Sequence, residues 1–413
     1  MPYDLLWFLL PVAAASGWWV ARRQRRHTEQ PRRAIPSDYY KGINYFLNEQ
    51  PDKAIDVFIQ MLEVDSDSVE PHLALGNLFR RRGETERAIR IHQNLIARPN
   101  LDKAQRDQSL LELGHDYMQA GLFDRAETLL EELVERDQGN LPALRLLLKI
   151  YEQEQEWTNA INVARKLDAG SNEQLRNVIA QYYCELAEEA IKNGDFSDGR
   201  RMLKRSLASH SGCARAWILQ AAMAEQLGNY RAVIKSCRRL LQQQPDYLAD
   251  VITMLMRAYR HYGRTQEFET FIEPVIAAQS AIHPVLVYTT YLTENRGHEV
   301  AGEYLEEYLN EHPSLQGLQR SLTLKQRQVS EGLRSEEGSA SAAYSTCLQG
   351  YRRALDVIAR LVENDPLYIC KNCGFPGSRR RWQCPGCHLW ETITPVTGDA
   401  TERDNKLGKV IHD

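Results

Sequence analysis

Four cysteines near the C-terminus are the residues of this chain best suited to chemistry. Cys370-x-x-Cys373 and Cys384-x-x-Cys387 are two short hooks separated by the ten residues Gly374 to Gln383. That is the spacing of a tetrahedral thiolate metal site. Gly374, Pro385 and Gly386 permit the tight turns that aim both sulfurs of a hook at one ion. Four thiolates close the coordination sphere and leave no position for water or substrate, so the chemistry is structural and not catalytic. They suit zinc or iron, and the choice between one zinc and one iron ion stays open. A module this short buries too little to fold alone, so the ion must supply its folding energy. His388 follows the last cysteine, and with four thiols available it is expected outside the coordination sphere.

The metal reading requires a reducing compartment, and the N-terminus speaks to that. Leu5 to Ala21 is an uncharged, mostly apolar run, followed at once by Arg22, Arg23, Arg25 and Arg26. As a helix it would span about 25 Å, the low end of what a bilayer core of about 30 Å needs. Trp7, Trp18 and Trp19 lie near its ends, where interfacial aromatics belong. A signal peptide carries its positive charge before the apolar stretch, and here only Asp4 precedes it. The expectation is a retained single-pass anchor at residues 1–21 and a basic juxtamembrane linker at 22–36. The body is then expected in the cytoplasm, on the arginine side. Disulfides are disfavoured there, so the hooks hold metal. Cys184, Cys213, Cys237 and Cys347, each alone in a helical stretch, are expected to be free packing thiols.

The body must present the ribbon, and it is built from repeats. A glycine, an aromatic three residues on and an alanine twelve residues on recur as Gly42/Tyr45/Ala54, Gly76/Phe79/Ala88 and Gly114/Tyr117/Ala126. The next copy puts Leu148 at the glycine position and keeps Tyr151 and Ala160. Looser copies follow at Ala187, Ala221, Met256 and about Thr290, and a spacing of 34 residues dominates. A second glycine falls seven residues after the anchor in most copies, as in Gly83, Gly121 and Gly194. Apolar residues at helical spacing flank it, so each copy reads as a helical hairpin broken by a left-handed glycine. One hairpin cannot bury its apolar face alone, and neighbours must stack into a superhelix. This residue set resembles the tetratricopeptide repeat over roughly residues 37 to 313.

Such an array has a groove lined by the first helix of each hairpin. The groove-facing candidates are Asn77, Arg80 and Arg81, then His115, Met118 and Gln119, then Lys149, Glu152 and Gln153. Polar and charged types suit the reading of an extended peptide or a partner's surface. The period fades after Ser314, and GLRSEEGSASAAYS reads as a flexible joint. A last amphipathic helix, about Tyr344 to Glu363, leads straight into the metal hooks, which places the ribbon against the end of the array. Between the hooks, Arg379, Arg380, Arg381 and Trp382 form a basic, aromatic finger able to meet RNA, acidic protein or lipid headgroups, or simply solvent. The net charge of -4 does not point to nucleic acid. No phosphate-binding glycine loop, nucleophile elbow or H-E-x-x-H occurs, and the expectation is that the chain is not an enzyme.

The hooks, with Gly374 and Pro385-Gly386, resemble a rubredoxin-like ribbon. The fold class is therefore all-α: a tetratricopeptide-repeat superhelix with an N-terminal transmembrane helix and a small C-terminal four-cysteine ribbon. The division is an array over 37–335, a linker and final helix over 336–365, the ribbon over 366–395 and a tail over 396–413. The order of parts, with LLPVAAA, GNLFRRRGETERAIRIHQ, DYMQAGLFDRAE and CPGCHLW, resembles the lipopolysaccharide assembly B family of Gram-negative bacteria. That resemblance implies an inner-membrane adaptor that helps the protease FtsH degrade the deacetylase LpxC and gathers assembly enzymes at the membrane. It further implies restraint by a membrane regulator of the PbgA/YejM type. Self-association of the array is left open. The rival reading is a membrane-anchored scaffold whose ribbon binds RNA or protein outside lipopolysaccharide metabolism.

Overall fold

The computed structural model describes residues 37–48, 50–64, 68–168, 172–278, 281–335, 340–362 and 366–396. The apolar run Leu5–Ala21, the four arginines after it and the tail beyond Val396 lie outside the described residues. Among the described residues no helix is long and apolar enough to cross a membrane.

The chain divides into two compact units, at Glu154 and Gln155. The first holds α1 (Ser37–Leu47), α2 (Pro51–Val64), α3 (Val69–Arg81), α4 (Thr85–Ile96), α5 (Lys103–Gln119), α6 (Phe123–Arg136) and α7 (Leu141–Gln153). Its hairpins close as the residue pattern requires. Gly83 has φ +80° and stops α3, and the amide of Glu84 then donates to the carbonyl of Phe79. Gln155 stands in the corresponding place of the copy without glycine and takes the same left-handed conformation, φ 59°, at about 1 kcal/mol. The repeated small residues mark helix crossings. Ala54, Ala88 and Ala126 are fully buried. A Cβ on Gly42 would stand 2.8 Å from Phe58, and one on Gly114 would stand 2.9 Å from Leu130. Proline falls in the first turns of α3 (Pro71) and α7 (Pro142), where no donor is lost.

The second unit continues the hairpins through α8 (Trp157–Leu167), α9 (Glu173–Lys192), α10 (Phe196–Ser209), α11 (Ala214–Gln226), α12 (Tyr230–Gln243), α13 (Leu248–His261), α14 (Thr265–Ala277), α15 (Ile282–Arg296) and α16 (His298–Glu311). A further hairpin, α17 (Leu315–Ser335) and α18 (Ala340–Val362), follows. A short 3-10 turn, Pro245–Tyr247, joins α12 to α13. The looser copies therefore keep the hairpin even where their glycines are gone. Their core relies on larger side chains: Phe268, Tyr288 and Tyr291 are buried and stack on one another, with Phe268 edge-on to Tyr291 at 5.1 Å. α9, α11, α13, α15 and α17 lie side by side and form one face. The expected joint at GLRSEEGSASAAYS is mostly helical: α17 runs to Ser335, and α18 begins at Ala340. Leu324, fully buried in the common core, fixes α17, and the helix carries on from that anchor. The ribbon is a three-stranded antiparallel sheet in the order β2-β1-β3, from β1 (Tyr368–Cys370), β2 (Pro376–Gly377) and β3 (Ile393–Pro395).

Candidate metal centre and its docking face

The two hooks fold as copies of one knuckle. In the first, the amide of Cys370 donates to Phe375 O and the amide of Gly374 to Cys370 O, both at 2.9 Å. In the second, Cys384 donates to Leu389 O and His388 to Cys384 O, again at 2.9 Å. Each knuckle needs a left-handed residue after its second cysteine, and Gly374 (φ 75°) and His388 (φ 57°) fill that role. His388 thus serves through its backbone, and its exposed ring lies outside the cysteine cluster.

The four sulfurs lie within 4.8 Å of one another, with Cys370 to Cys387 at 3.7 Å and Cys373 to Cys384 at 3.6 Å. A metal–sulfur bond of about 2.3 Å gives a tetrahedron with an edge of about 3.8 Å. A disulfide would need about 2.05 Å. The set therefore fits one closed tetrahedral ion held by Cys370, Cys373, Cys384 and Cys387. Thr392 Oγ1 lies 3.2 Å from Cys370 Sγ. Burial pushes the Cys370 thiol up, but Thr392 and the amides of Asn372 and Cys373 outweigh it and bring it down, toward the thiolate an ion requires. Among the remaining thiols, Cys184, Cys213 and Cys237 are buried as expected, whereas Cys347 is exposed on α18 and packs into no core. Cys184 and Cys213 stand with sulfurs 3.8 Å apart, too far for a bond.

The ribbon does not sit at the end of the array. It lies across the inner face of the second unit, because the side chains beside its metal find partners there. Trp390 meets Trp157 of α8 and Tyr182 of α9 edge-on at 6.1 and 5.9 Å, and those two rings stack on each other. Next to it, Glu391 accepts from Asn177 Nδ2 at 2.8 Å and Gln181 Nε2 at 2.7 Å. Burial raises the Glu391 carboxyl above its ordinary range, against the pull of Asn177, His210, Gln181 and Arg380. The finger between the hooks is divided. Arg380 turns inward, with Nε 3.0 Å from Asp250 Oδ2 and Nη atoms donating to Asp246 O and Ile393 O. Its guanidinium covers the ring of Tyr247 at 4.1 Å. Trp382 also stacks on Tyr247, at 5.9 Å, beside Arg215, which pairs with Glu185 and Glu188. Arg379 and Arg381 remain exposed.

The groove candidates in the first unit also divide. Arg80 is engaged within the chain, with Glu112 at 2.7 Å and the fully buried Asp116 at 2.8 Å. Asp116 in turn holds Nδ1 of the buried His92 at 2.5 Å. His92 occupies the crossing that Phe58 and Leu130 fill in neighbouring hairpins, against Gly76. Arg81 covers the Phe46 ring at 4.4 Å. Asn77, Met118 and Glu152 are half-buried, as is His115, whose ring is pushed below its ordinary range by burial and by Arg80. Gln119, Lys149 and Gln153 are exposed. The residues that the sequence reading missed are Asn177, Gln181, Tyr247, Asp250, Trp390 and Glu391. The one available signal was the pair of polar side chains Asn177 and Gln181, one turn apart and flanking the apolar Val178, Ile179 and Ala180.

Helical hairpins and thiolate knuckles together define a tetratricopeptide-repeat protein with a rubredoxin-type metal-binding ribbon. Tetratricopeptide-repeat models match residues 72–104, 111–173 and 184–247, and the rubredoxin metal binding domain matches residues 368–395. Lipopolysaccharide assembly protein B of Escherichia coli strain K12 is 34% identical over 396 residues, covering 96% of this chain and 98% of that protein. The Haemophilus influenzae protein of the same name is 32% identical over 403 residues, covering 95% and 98%. The chain belongs to the lipopolysaccharide assembly protein B family. These relatives are named as assembly proteins and not as enzymes. Among solved structures, the C-terminal part of a repeat protein from Cytophaga hutchinsonii is 14% identical, with a TM-score of 0.38 over 58% of this chain and 94% of that one, and carries no further weight.

Proposed function

We propose that this chain is a membrane-tethered, non-enzymatic adaptor in lipopolysaccharide assembly, which presents the deacetylase LpxC to the protease FtsH. The observation that carries the reading is the metal ribbon clamped onto the inner face of the second unit. A closed thiolate site does no chemistry of its own, but it holds a helical face and a basic edge, Arg379 and Arg381, in fixed register. Family membership supports the lipopolysaccharide context. Tethering through residues 1–21 would bring protease and substrate into one membrane plane and raise their effective concentration. A regulator of the PbgA/YejM type would act on the anchor region. The inward turn of Arg380 and Trp382 weighs against the RNA-binding alternative, since half of the basic finger is already engaged.

The test is Cys370→Ser with Cys373→Ser. We expect lost metal, an unfolded ribbon and a lengthened LpxC half-life in cells; unchanged LpxC turnover in a strain carrying only this variant refutes the ribbon's part. Removal of residues 1–21 should release the body from membranes and slow LpxC decay. Normal decay from a freely soluble form would eliminate tethering. The ion is read from colour: red bleached by reductant marks iron and keeps electron transfer alive, whereas a colourless protein containing zinc removes it.

A further inference from the structure

One face of α12 has no explanation in the ribbon or the repeats. Arg231, Lys235, Arg238 and Arg239 recur on it at helical spacing, opposite the buried Val233, Cys237 and Leu240. The helix contains no acidic residue. Like charges one turn apart destabilise a helix, so this stripe is a cost that contacts of Arg238 and Arg239 with Glu267, Phe271 and Trp217 offset only in part. Several other arginines of the second unit find carboxylates, among them Arg215 with Glu185, Arg257 with Glu225, Arg260 with Glu294, and Arg296 with Glu269. Here a single carboxylate, Glu267, is shared between Arg238 at 3.5 Å and Arg264 at 3.7 Å. Arg239 lies over the Trp217 ring at 5.0 Å, and among the described residues Arg231 and Lys235 have no carboxylate partner.

The stripe forms one wall of a groove whose other wall is the α13–α14 turn with Arg264 and Glu267. At its floor stands Tyr259, 1% exposed, whose hydroxyl is buried and has no hydrogen-bond partner. Buried hydroxyls almost always have one. A donor without an acceptor, beside five cations that share one carboxylate, lacks the same thing twice: a compact group rich in acceptor oxygens and negative charge.

We propose that this groove binds a phosphate-bearing ligand, a phosphomonoester or diphosphate that is either free or the headgroup of a lipid. Guanidinium forks match phosphate oxygens in pairs, Lys235 adds a point charge, and the Tyr259 hydroxyl donates to an oxygen at the floor. An acidic peptide is the less suitable occupant, because its carboxylates are spaced along a chain and the floor donor serves one compact group.

The experiment is calorimetric titration of the full chain in neutral detergent at about 150 mM salt, where diffuse surface attraction is screened. The probes are pyrophosphate, inorganic phosphate, dihexanoyl phosphatidic acid and hexaglutamate. Pyrophosphate should bind saturably. Arg231→Gln with Lys235→Gln should weaken it about ten-fold or more, and Tyr259→Phe about three-fold. Thermal unfolding should hold or rise in both variants, since repulsion or an unpaired hydroxyl has been removed. Phosphatidic acid bound about ten-fold more tightly than inorganic phosphate identifies a lipid headgroup, and equal binding identifies a free phosphate compound. The proposal is overturned if no phosphate probe binds the native chain, if hexaglutamate binds as tightly as pyrophosphate, or if the double variant binds unchanged.

Discussion

Arg380→Ala removes the grip by which the ribbon holds the second unit, and its consequence can be worked through. The native side chain is 6% exposed and stands 3.0 Å from Asp250, itself 19% exposed. Truncation strands that carboxylate. Breaking a buried pair from one side costs about 3–5 kcal/mol. Asp250 already sits above its ordinary range because burial outweighs Arg380, so without the arginine it takes a proton more readily, which limits the penalty to the lower part of that range. The carbonyl of Ile393 belongs to the ribbon and loses its donor whether docked or free, and that of the exposed Asp246 is rehydrated, so neither adds much to the docking loss. That leaves about 3–4 kcal/mol, a loss of about 100- to 1,000-fold in the docked population. Hydrogen exchange of the full chain is the assay. Amides of β3 and of the N-terminal turns of α13 should lose about a hundred-fold of protection at unchanged metal content, because the knuckles do not depend on Arg380. Arg380→Lys should fall between, keeping charge for Asp250 but losing the fork. Native protection in the alanine variant, within about threefold, would refute the claim that docking rests on this contact.

Three further outcomes follow from other parts of the molecule. Arg80→Ala, which strands the fully buried Asp116 and the buried Glu112, should lower the first unit's stability by about 3–5 kcal/mol; a urea midpoint shift worth less than about 1 kcal/mol contradicts it. Gly76→Ala would place a Cβ 2.4 Å from His92 Nε2 and should cost about 1–3 kcal/mol, whereas Gly302→Ala meets nothing within 4 Å and should add about 0.5–1 kcal/mol, both read by thermal unfolding. Docking should also depend on pH. Glu391 and Asp250 are both raised by burial, so the docked state binds protons more readily than the undocked one. Docking is then strongest in acid and weakens as pH rises from the ordinary Glu value of 4.5 toward the raised one. Arg380, His210, His283 and Tyr247 face these carboxyls, and burial holds His283 down. Trp390 fluorescence should follow the transition as pH rises from 4.5, and Glu391→Gln should flatten it.

The knuckles and hairpins were legible because they rest on local spacing. Two cysteines three apart, or a glycine with an alanine twelve on, define contacts within one supersecondary unit, and Cys370 with Cys373 or Gly114 with Ala126 can be read by counting. The docking face was not legible. Gln181 and Glu391 meet across 210 residues, and nothing in the local pattern of either names the other. Arg380 and Trp382 read as one basic, aromatic finger with Arg379 and Arg381 because composition does not tell which side chains turn inward, whereas in the fold alternate residues of the loop face opposite ways. Arg80 was misleading in the same way: position relative to Gly76 put it on the groove side, yet its partners Glu112 and Asp116 belong to the next hairpin.

Arrays of stacked hairpins ordinarily behave as one-dimensional chains, in which each link feels its neighbours and the ends fray first. The strap laid from Trp157 to Asp250 breaks that rule, since a single small module touches α8, α9, α11 and α13 at once. Those links should melt together. The strap also follows in sequence all the helices it binds, so the rigidity of helices made before it waits on the capture of one ion.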